Sequence, residues 1–351
     1  MRPVVYLMSV DGSDITQTLI DRVSRVTVTD CEGFASDVLE VELDDRGQFV
    51  QLPSVGDKIR CLLGFLERSP VPVMGDFVVD EVRLFGPPLT IAFTAKGADF
   101  VNTSIKAPLI GGGDDVTLAS LAQRIAAKHG LQPVIHPDAE QIQLGHIDQQ
   151  TESDMALLER LARMRDWVLR LDAERLTLRP HASALPPSIQ ASSFSPPLHR
   201  IDARSVTRYD YTTSARSRYG RVRAWYYDTD KGRRVPVDVE VEGGGDGPTL
   251  DLRHDAKSEP DARQAAEGRL RQLRRAEGRL TLELPGDTRI LAGHHIFLVG
   301  LSDPIAGQWV IDRAEHSLDS SGLRTVLECV PPSAPGKAGQ DITDAIIEEL
   351  E

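Results

Sequence analysis

Residues 22–30 (RVSRVTVTD) and 36–45 (SDVLEVELDD) place an apolar side chain at every second position. That is the repeat of a strand with one face buried and one face wet. The segments GDKIRCLLGF (56–65), GDFVVDEVRLFG (75–86) and PLTIAFTAKG (88–97) continue it, separated by Gly, Pro and Asp. Short strands at regular spacing, punctuated by turn residues, restrict residues 1–105 to a small barrel or sandwich.

The period then changes. In DVTLASLAQRIAAKHG (115–130), Leu118, Leu121, Ala122 and Ile125 share a helical stripe, with Asp115 or Thr117 as cap and Gly130 as stop. WVLRLDAERLTLRP (167–180) reads as a hairpin turning at Asp172–Arg175. Residues 106–180 are therefore expected to form a small α/β unit. The stretch 181–199, with four prolines and five serines, reads as a linker. Strand character returns in RSVTRYDY (204–211), RVRAWYYD (221–228), VPVDVEVEGG (235–244) and 279–330. A long helix interrupts at 258–278, with Ser258 as cap, Pro260 in the first turn and Gly278 as exit. Residues 331–339 (PPSAPGKAG) form a joint before a short acidic amphipathic helix in 340–351. That helix suits a docking peptide and a frayed tail equally.

One internal similarity governs the architecture. Gly56 opens and Gly64 closes an apolar strand, as do Gly293 and Gly300. Gly75 then starts a run that reaches Asp80, and Gly307 starts a similar run to Asp312. The spacing predicts two copies of one barrel, in 1–105 and 200–330, with the α/β unit between them.

The stretch 145–166 (GHIDQQTESDMALLERLARMRD) carries a histidine and five carboxylates, the composition of an active site. Helix formation accounts for them. Leu157, Leu158, Leu161, Met164 and Val168 recur at helical spacing. Thr151 and Asp154 have capping-box spacing, and Glu152 and Asp154 suit a first turn. His146 precedes the helix and reads as structural. His294 and His295 are adjacent, so in a strand they face opposite sides and do not grip one metal. GGGDD (111–115) lacks the Lys-Ser/Thr end of a phosphate loop, and no HExxH, CxxC or GxSxG motif occurs. No catalytic, metal-binding or cofactor-binding residue is assigned, and the chain is read as a non-enzyme without cofactors.

A net charge of −13 and a pI near 5.2 disfavour specific nucleic-acid binding, which needs a basic face. Cys31, Cys61 and Cys329 lie in strand-like runs and read as free buried thiols of a reducing compartment. The N-terminal apolar run is too short for a signal peptide, and no segment reaches the ~20 apolar residues of a membrane span. Cytoplasmic synthesis without membrane insertion is expected.

With these pieces named, the chain resembles the phage late-control D family, the tail hub proteins of contractile-tailed temperate phages. At greater distance it is similar to other contractile baseplate hubs and to the N-terminal half of type VI secretion spike proteins. The resemblance runs over roughly 5–330. Its most specific segment is Ile147, Asp148, Gln149, Glu152, Ser153 and Asp154, followed by Leu158, Leu161 and Ala162. The chain departs from the family at GGGDD and after residue 331.

The resemblance implies an α+β, mainly β fold with two tube-like β-barrel domains. It implies a homotrimer whose six barrels make a pseudo-six-fold ring joining a hexameric tail tube to a trimeric spike. Tail tube, spike, baseplate wedge and tape-measure proteins are the implied partners, and the virion tail baseplate, assembled in the host cytoplasm, is the implied location. DNA would pass through the ring without specific binding. Residues 1–105, with nine basic against sixteen acidic residues, fit a lumen that repels phosphate. The competing reading is a spike component of a contractile injection system carrying a hydrolase or effector activity. The segment after 331 is too short to fold as such a domain. A carbohydrate-binding β protein would need more aromatic residues than the 5% present.

Overall fold

The computed structural model describes residues 2–9, 22–34, 37–47, 50, 52–97, 116–144, 152–171, 174–185, 194–214, 219–240 and 247–332. The alternating segments form β2 (Val23–Cys31), β3 (Val38–Asp44), β4 (Lys58–Phe65), β5 (Val73–Phe85) and β6 (Thr90–Lys96), preceded by β1 (Pro3–Ser9). They pair antiparallel in the order β1-β4-β5-β6-β3-β2. Period two sends alternate side chains inward, and all six strands contribute, among them Leu7, Val26, Val41, Leu63, Phe77 and Phe93, to one core. Among the described residues no ladder joins β1 to β2, so the curled sheet is not hydrogen-bonded into a closed barrel.

The α/β unit follows. Helix α1 (Leu118–Lys128) is capped by Thr117, whose hydroxyl accepts from the Ser120 N–H while the Ser120 hydroxyl accepts from the Thr117 N–H. Strand β7 (Gln132–Ile135), helix α2 (Asp154–Arg163) and strands β8 (Trp167–Leu171) and β9 (Arg175–Pro180) complete it, with sheet order β7-β9-β8. Leu121, Ile125, Leu157, Leu158 and Leu178 pack between helices and sheet. GGGDD, His146, Thr151, Asp172 and the whole of 333–351 lie outside the described residues.

Several expectations shift. The N-cap of α2 is Ser153, whose hydroxyl accepts from the Ala156 N–H at 3.2 Å. Met164 lies beyond the helix as its C-cap and is exposed. The 181–199 stretch is not all linker: residues 182–184 make a buried 3₁₀ turn, and β10 (Leu198–Asp202) begins inside it. After β11 (Arg208–Thr213), strands β12 (Arg221–Asp228) and β13 (Arg233–Glu240) do not join the second strand run, where the sequence pattern predicts them. With β14 (Thr249–Ala256) they form a separate sheet, β13-β12-β14, backed by α3 (Glu259–Arg275). Alternation in β12 puts Val222 and Ala224 into that core beside Tyr226, while Tyr227 is exposed. Helix α3 ends at Arg275 rather than Gly278, because Gly278 already pairs opposite Thr213 in β15 (Gly278–Pro285).

Strands β16 (His295–Val299), β17 (Gly307–Asp319) and β18 (Gly322–Val330) complete the chain. The second run pairs in the order β10-β16-β17-β18-β15-β11. Strand for strand this is the connectivity of the first run, with the β12–β14 sheet and α3 inserted between the second and third members. The difference is at the edge: β10 runs parallel to β16, whereas β1 runs antiparallel to β4. The second core gathers Ile201, Leu282, Leu298, Trp309, Ile311 and Leu327.

Candidate assembly interface

The two runs meet along β2 and β17. These strands pair antiparallel from Arg313 opposite Cys31 to Asp319 opposite Arg25. Strand β17 is long enough for two partners on one edge: residues 307–310 pair with β16, and 313–319 pair with β2. At the far end of the β17–β18 hairpin, Leu318 and Leu323 pack into the first core. Burial on both faces is why β2 does not keep alternating: Val26 and Val28 are buried, and so are Thr27, Thr29 and Asp30.

The repeat-matched residues fall into corresponding places. Gly75 lies opposite Cys61, and Gly307 opposite Leu298. Ile59 faces Phe77 as Ile296 faces Trp309. Asp80 is the extra residue of a β-bulge between Val79 and Glu81, and Asp312 the extra residue of one between Ile311 and Arg313. Gly56 and Gly293, both at left-handed φ (+97° and +78°), donate their N–H to Val79 O and Ile311 O, each at 2.8 Å. The closing glycines break the correspondence. Gly64 lies within β4 opposite Val4, whereas Gly300 lies just past β16, one step earlier in the shared register. Asp80 pairs with Lys96 Nζ at 2.6 Å, and Asp312 lies 3.8 Å from His181 Nε2.

Of the signature segment, Ile147, Asp148 and Gln149 are outside the described residues. Glu152 accepts two hydrogen bonds from the Arg160 guanidinium, at 3.1 and 2.5 Å. Asp154 is fully buried and accepts from Lys128 Nζ (2.6 Å), with His129 Nε2 3.2 Å away, so it ties α2 to the end of α1. Leu158, Leu161 and Ala162 fill the core of the unit.

Sequence reasoning missed the residues that lock the units together. Arg170 bridges Asp30 (2.9 Å) and Asp37 (2.8 Å), and Arg179 pairs with Glu32 (2.9 Å), which also accepts from the Ala182 N–H. Burial pushes Asp37 up to about 7, helped by the neighbouring Asp30 and opposed by Arg170. Burial would likewise raise Glu32, but His181, Arg179 and the Ala182 N–H outweigh it and hold that carboxyl below its usual range. On the other side, Asp166, at φ +64°, is held by Arg271 (3.2 Å) and Arg275, and Arg165 pairs with Asp261 at 2.5 Å. Ion-pair partners 96 to 147 residues apart leave no spacing signal. The only trace is the pair of carboxylates, Asp30 and Glu32, at the end of β2 and just past it.

An open polar cleft of about 440 Å³ lies among these groups, lined by Glu32, Asp166, Trp167, His181, Arg275 and Asp312. Within it Asp166 is held by Arg275, Asp312 lies beside His181, and Glu32 is held by Arg179, the arrangement of a clamp. His294 and His295 do face different partners: His294 Nδ1 meets His199 Nε2 at 2.9 Å, and His295 Nε2 meets Ala182 O at 3.0 Å. Among the described residues, no cluster of three or more His, Cys, Asp or Glu side chains could hold a metal ion. Nor is any helix there long and apolar enough to cross a membrane.

Residues 115–322 match the family described as phage tail baseplate hub (GPD). The probable baseplate hub protein of Escherichia phage 186 is 27% identical over 363 residues, covering 92% of each chain. In fold, the chain is similar to the 43 kDa tail protein of prophage MuSo2 from Shewanella oneidensis. That similarity has a TM-score of 0.71 at 16% identity and covers 94% of this chain and 99% of that one. An Escherichia coli component of the type VI secretion system shares the fold at a TM-score of 0.57 and 10% identity, over 88% of this chain and 73% of that one.

Proposed function

The chain belongs to the phage tail baseplate hub (GPD) family, and from that premise we propose that three copies form the ring that adapts a six-fold tail tube to a three-fold spike. It is a baseplate hub protein of a contractile phage tail, located in the virion baseplate. The observation that carries the trimer is the shared connectivity of the two strand runs, down to the matched bulges at Asp80 and Asp312. One chain with two alike modules presents six of them when three chains assemble. We assign these modules to 1–105 and 200–330, the α/β unit to 106–180, and a structural role to the signature residues of α2. The tail tube protein stacks on one face and a trimeric spike on the other. Wedge and tape-measure proteins contact the periphery and the lumen, and DNA passes without specific binding. A structural rather than enzymatic role is supported by the family and by the ties of Glu32, Asp166 and Asp312 in the cleft to Arg179, Arg275 and His181.

The test is the mass of the purified full chain in native mass spectrometry, alone and with its spike partner. A three-chain species, alone or spike-bound, is expected. A chain that stays monomeric in both conditions, or that cleaves peptidoglycan, overturns the reading.

A further inference from the structure

The contact between β2 and β17 has an unpaired counterpart elsewhere in the chain. The matched bulges make Glu81–Phe85 of β5 equivalent to Arg313–Ser317 of β17. In β17 that stretch pairs with β18 on one side and β2 on the other; in β5, among the described residues, it pairs with β6 alone. The other partner is found the same way. Leu39 and Val41 face Ala95 and Phe93, as Leu280 and Leu282 face Cys329 and Leu327. This makes Tyr209 and Tyr211 of β11 the counterparts of Val26 and Val28 of β2. Strand β11 has a ladder with β15 alone, on the described residues.

Burial marks the difference. Val26 is 0% exposed and Tyr209 50%; His316 is 0% exposed and its equivalent Leu84 54%; Ser317 is 5% exposed and Phe85 46%. Both unpaired edges thus carry large apolar side chains at positions that are covered in the intramolecular contact. Native sheets rarely leave such an edge open to water.

We infer that the outer part of β5 in one copy of this chain takes β11 of the next copy as an antiparallel strand, with Leu84 opposite Tyr211 and Gly86 opposite Tyr209. The inference rests on the trimer reading and supplies its contact surface. Side-chain chemistry supports this register. Val82 and Leu84 face the side of the sheet on which Tyr211 lies against the second core. Arg83 falls diagonal to Asp210, within reach of an ion pair. The two edges are different surfaces, so the contact runs head to tail, as a three-fold ring requires, and cannot make a two-fold dimer.

Cross-linking of the full chain tests it. Arg83→Cys and Thr212→Cys are made in separate proteins, mixed, and treated with a short bifunctional thiol reagent, with the unsubstituted chain as background. Directly opposite residues lie about 5 Å apart at Cβ, so a covalent heterodimer is expected on mixing, and much less from Arg83→Cys with Arg208→Cys. Trimers without the first cross-link, or equal linking by the second pair, overturn the strand contact and leave the trimer standing. Monomers throughout overturn both. Leu84→Asp, on the exposed edge, is expected to weaken self-association at least tenfold, whereas Tyr227→Asp on the remote β12 sheet leaves it unchanged. Equal effects of these two substitutions also count against the contact.

Discussion

Asp80 and Asp312 are each the extra residue at the same step of the same hairpin, once in each half of the chain. A bulge adds local twist and bends its strand. In β17 the bend falls where the strand leaves β16 and begins to pair with β2, so one strand serves both runs. What matters at Asp312 is therefore the additional backbone unit more than the carboxylate. Asp312→Ala is expected to cost about 1 kcal/mol, because the side chain is two-fifths exposed. Deleting Asp312 leaves Ile311 opposite Cys329 and Arg313 opposite Glu328 but removes the bend that carries β17 from β16 to β2, and is expected to cost about 3 kcal/mol, well beyond the substitution. Thermal denaturation followed by circular dichroism distinguishes the two. A deletion as stable as the substitution would remove the bulge from the account.

Gly268 of α3 faces the backbone of Arg165, and a Cβ there would lie 2.8 Å from the Arg165 carbonyl carbon. Alanine is a better helix former by about 1 kcal/mol, so an exposed site would gain from it. Here the neighbour is main chain and cannot rotate away, and the displaced helix also carries Arg271 and Arg275 off Asp166. Gly268→Ala is expected to destabilise the protein by about 2 kcal/mol net, measured as a lower denaturant midpoint. An unchanged or raised midpoint contradicts the close packing.

Asp154 is read in the sequence as a first-turn carboxylate, and it is one, but its burial and its contacts with Lys128 and His129 are tertiary facts. The strands and helices were legible because each has its own period, and the hairpin repeat because its pieces lie close in sequence. The β13-β12-β14 sheet was not. Its strands alternate like those of the two longer runs, and the packing of Ala262, Ala266 and Leu273 against Val222 and Val237 assigns them elsewhere. The clamps at Asp30, Glu32 and Asp166 were equally silent, since an arginine's partner is set by the fold and not by spacing. Asp154→Ala is expected to cost about 2–3 kcal/mol, below the full value for breaking a buried pair because Lys128 is one-third exposed. Chemical denaturation measures it, and a loss under 0.5 kcal/mol would mean that the α1–α2 tie contributes little.

The pH response contains two opposing contributions. Burial lowers His295 and His316 to about 4, so both are neutral when folded. The unfolded chain takes up protons below about 6.5. Their stabilisation is present above that pH and falls as pH drops toward 4, by on the order of 3 kcal/mol per histidine. Asp37 acts in the other direction. Its folded value of about 7 lies above the ordinary value of 3.8, so the folded state keeps a proton that the unfolded state releases. Stability from this group is greatest below pH 3.8 and declines as pH rises toward 7. Asparagine cannot ionise, and its side-chain oxygen still accepts from the Cys31 N–H that Asp37 Oδ1 receives at 3.2 Å. Asp37→Asn should therefore gain on the unsubstituted protein between pH 4.5 and pH 7.5, visible as a melting-temperature difference that grows with pH. Parallel melting curves across that window would show that the bridge to Arg170 holds the Asp37 carboxylate ionised.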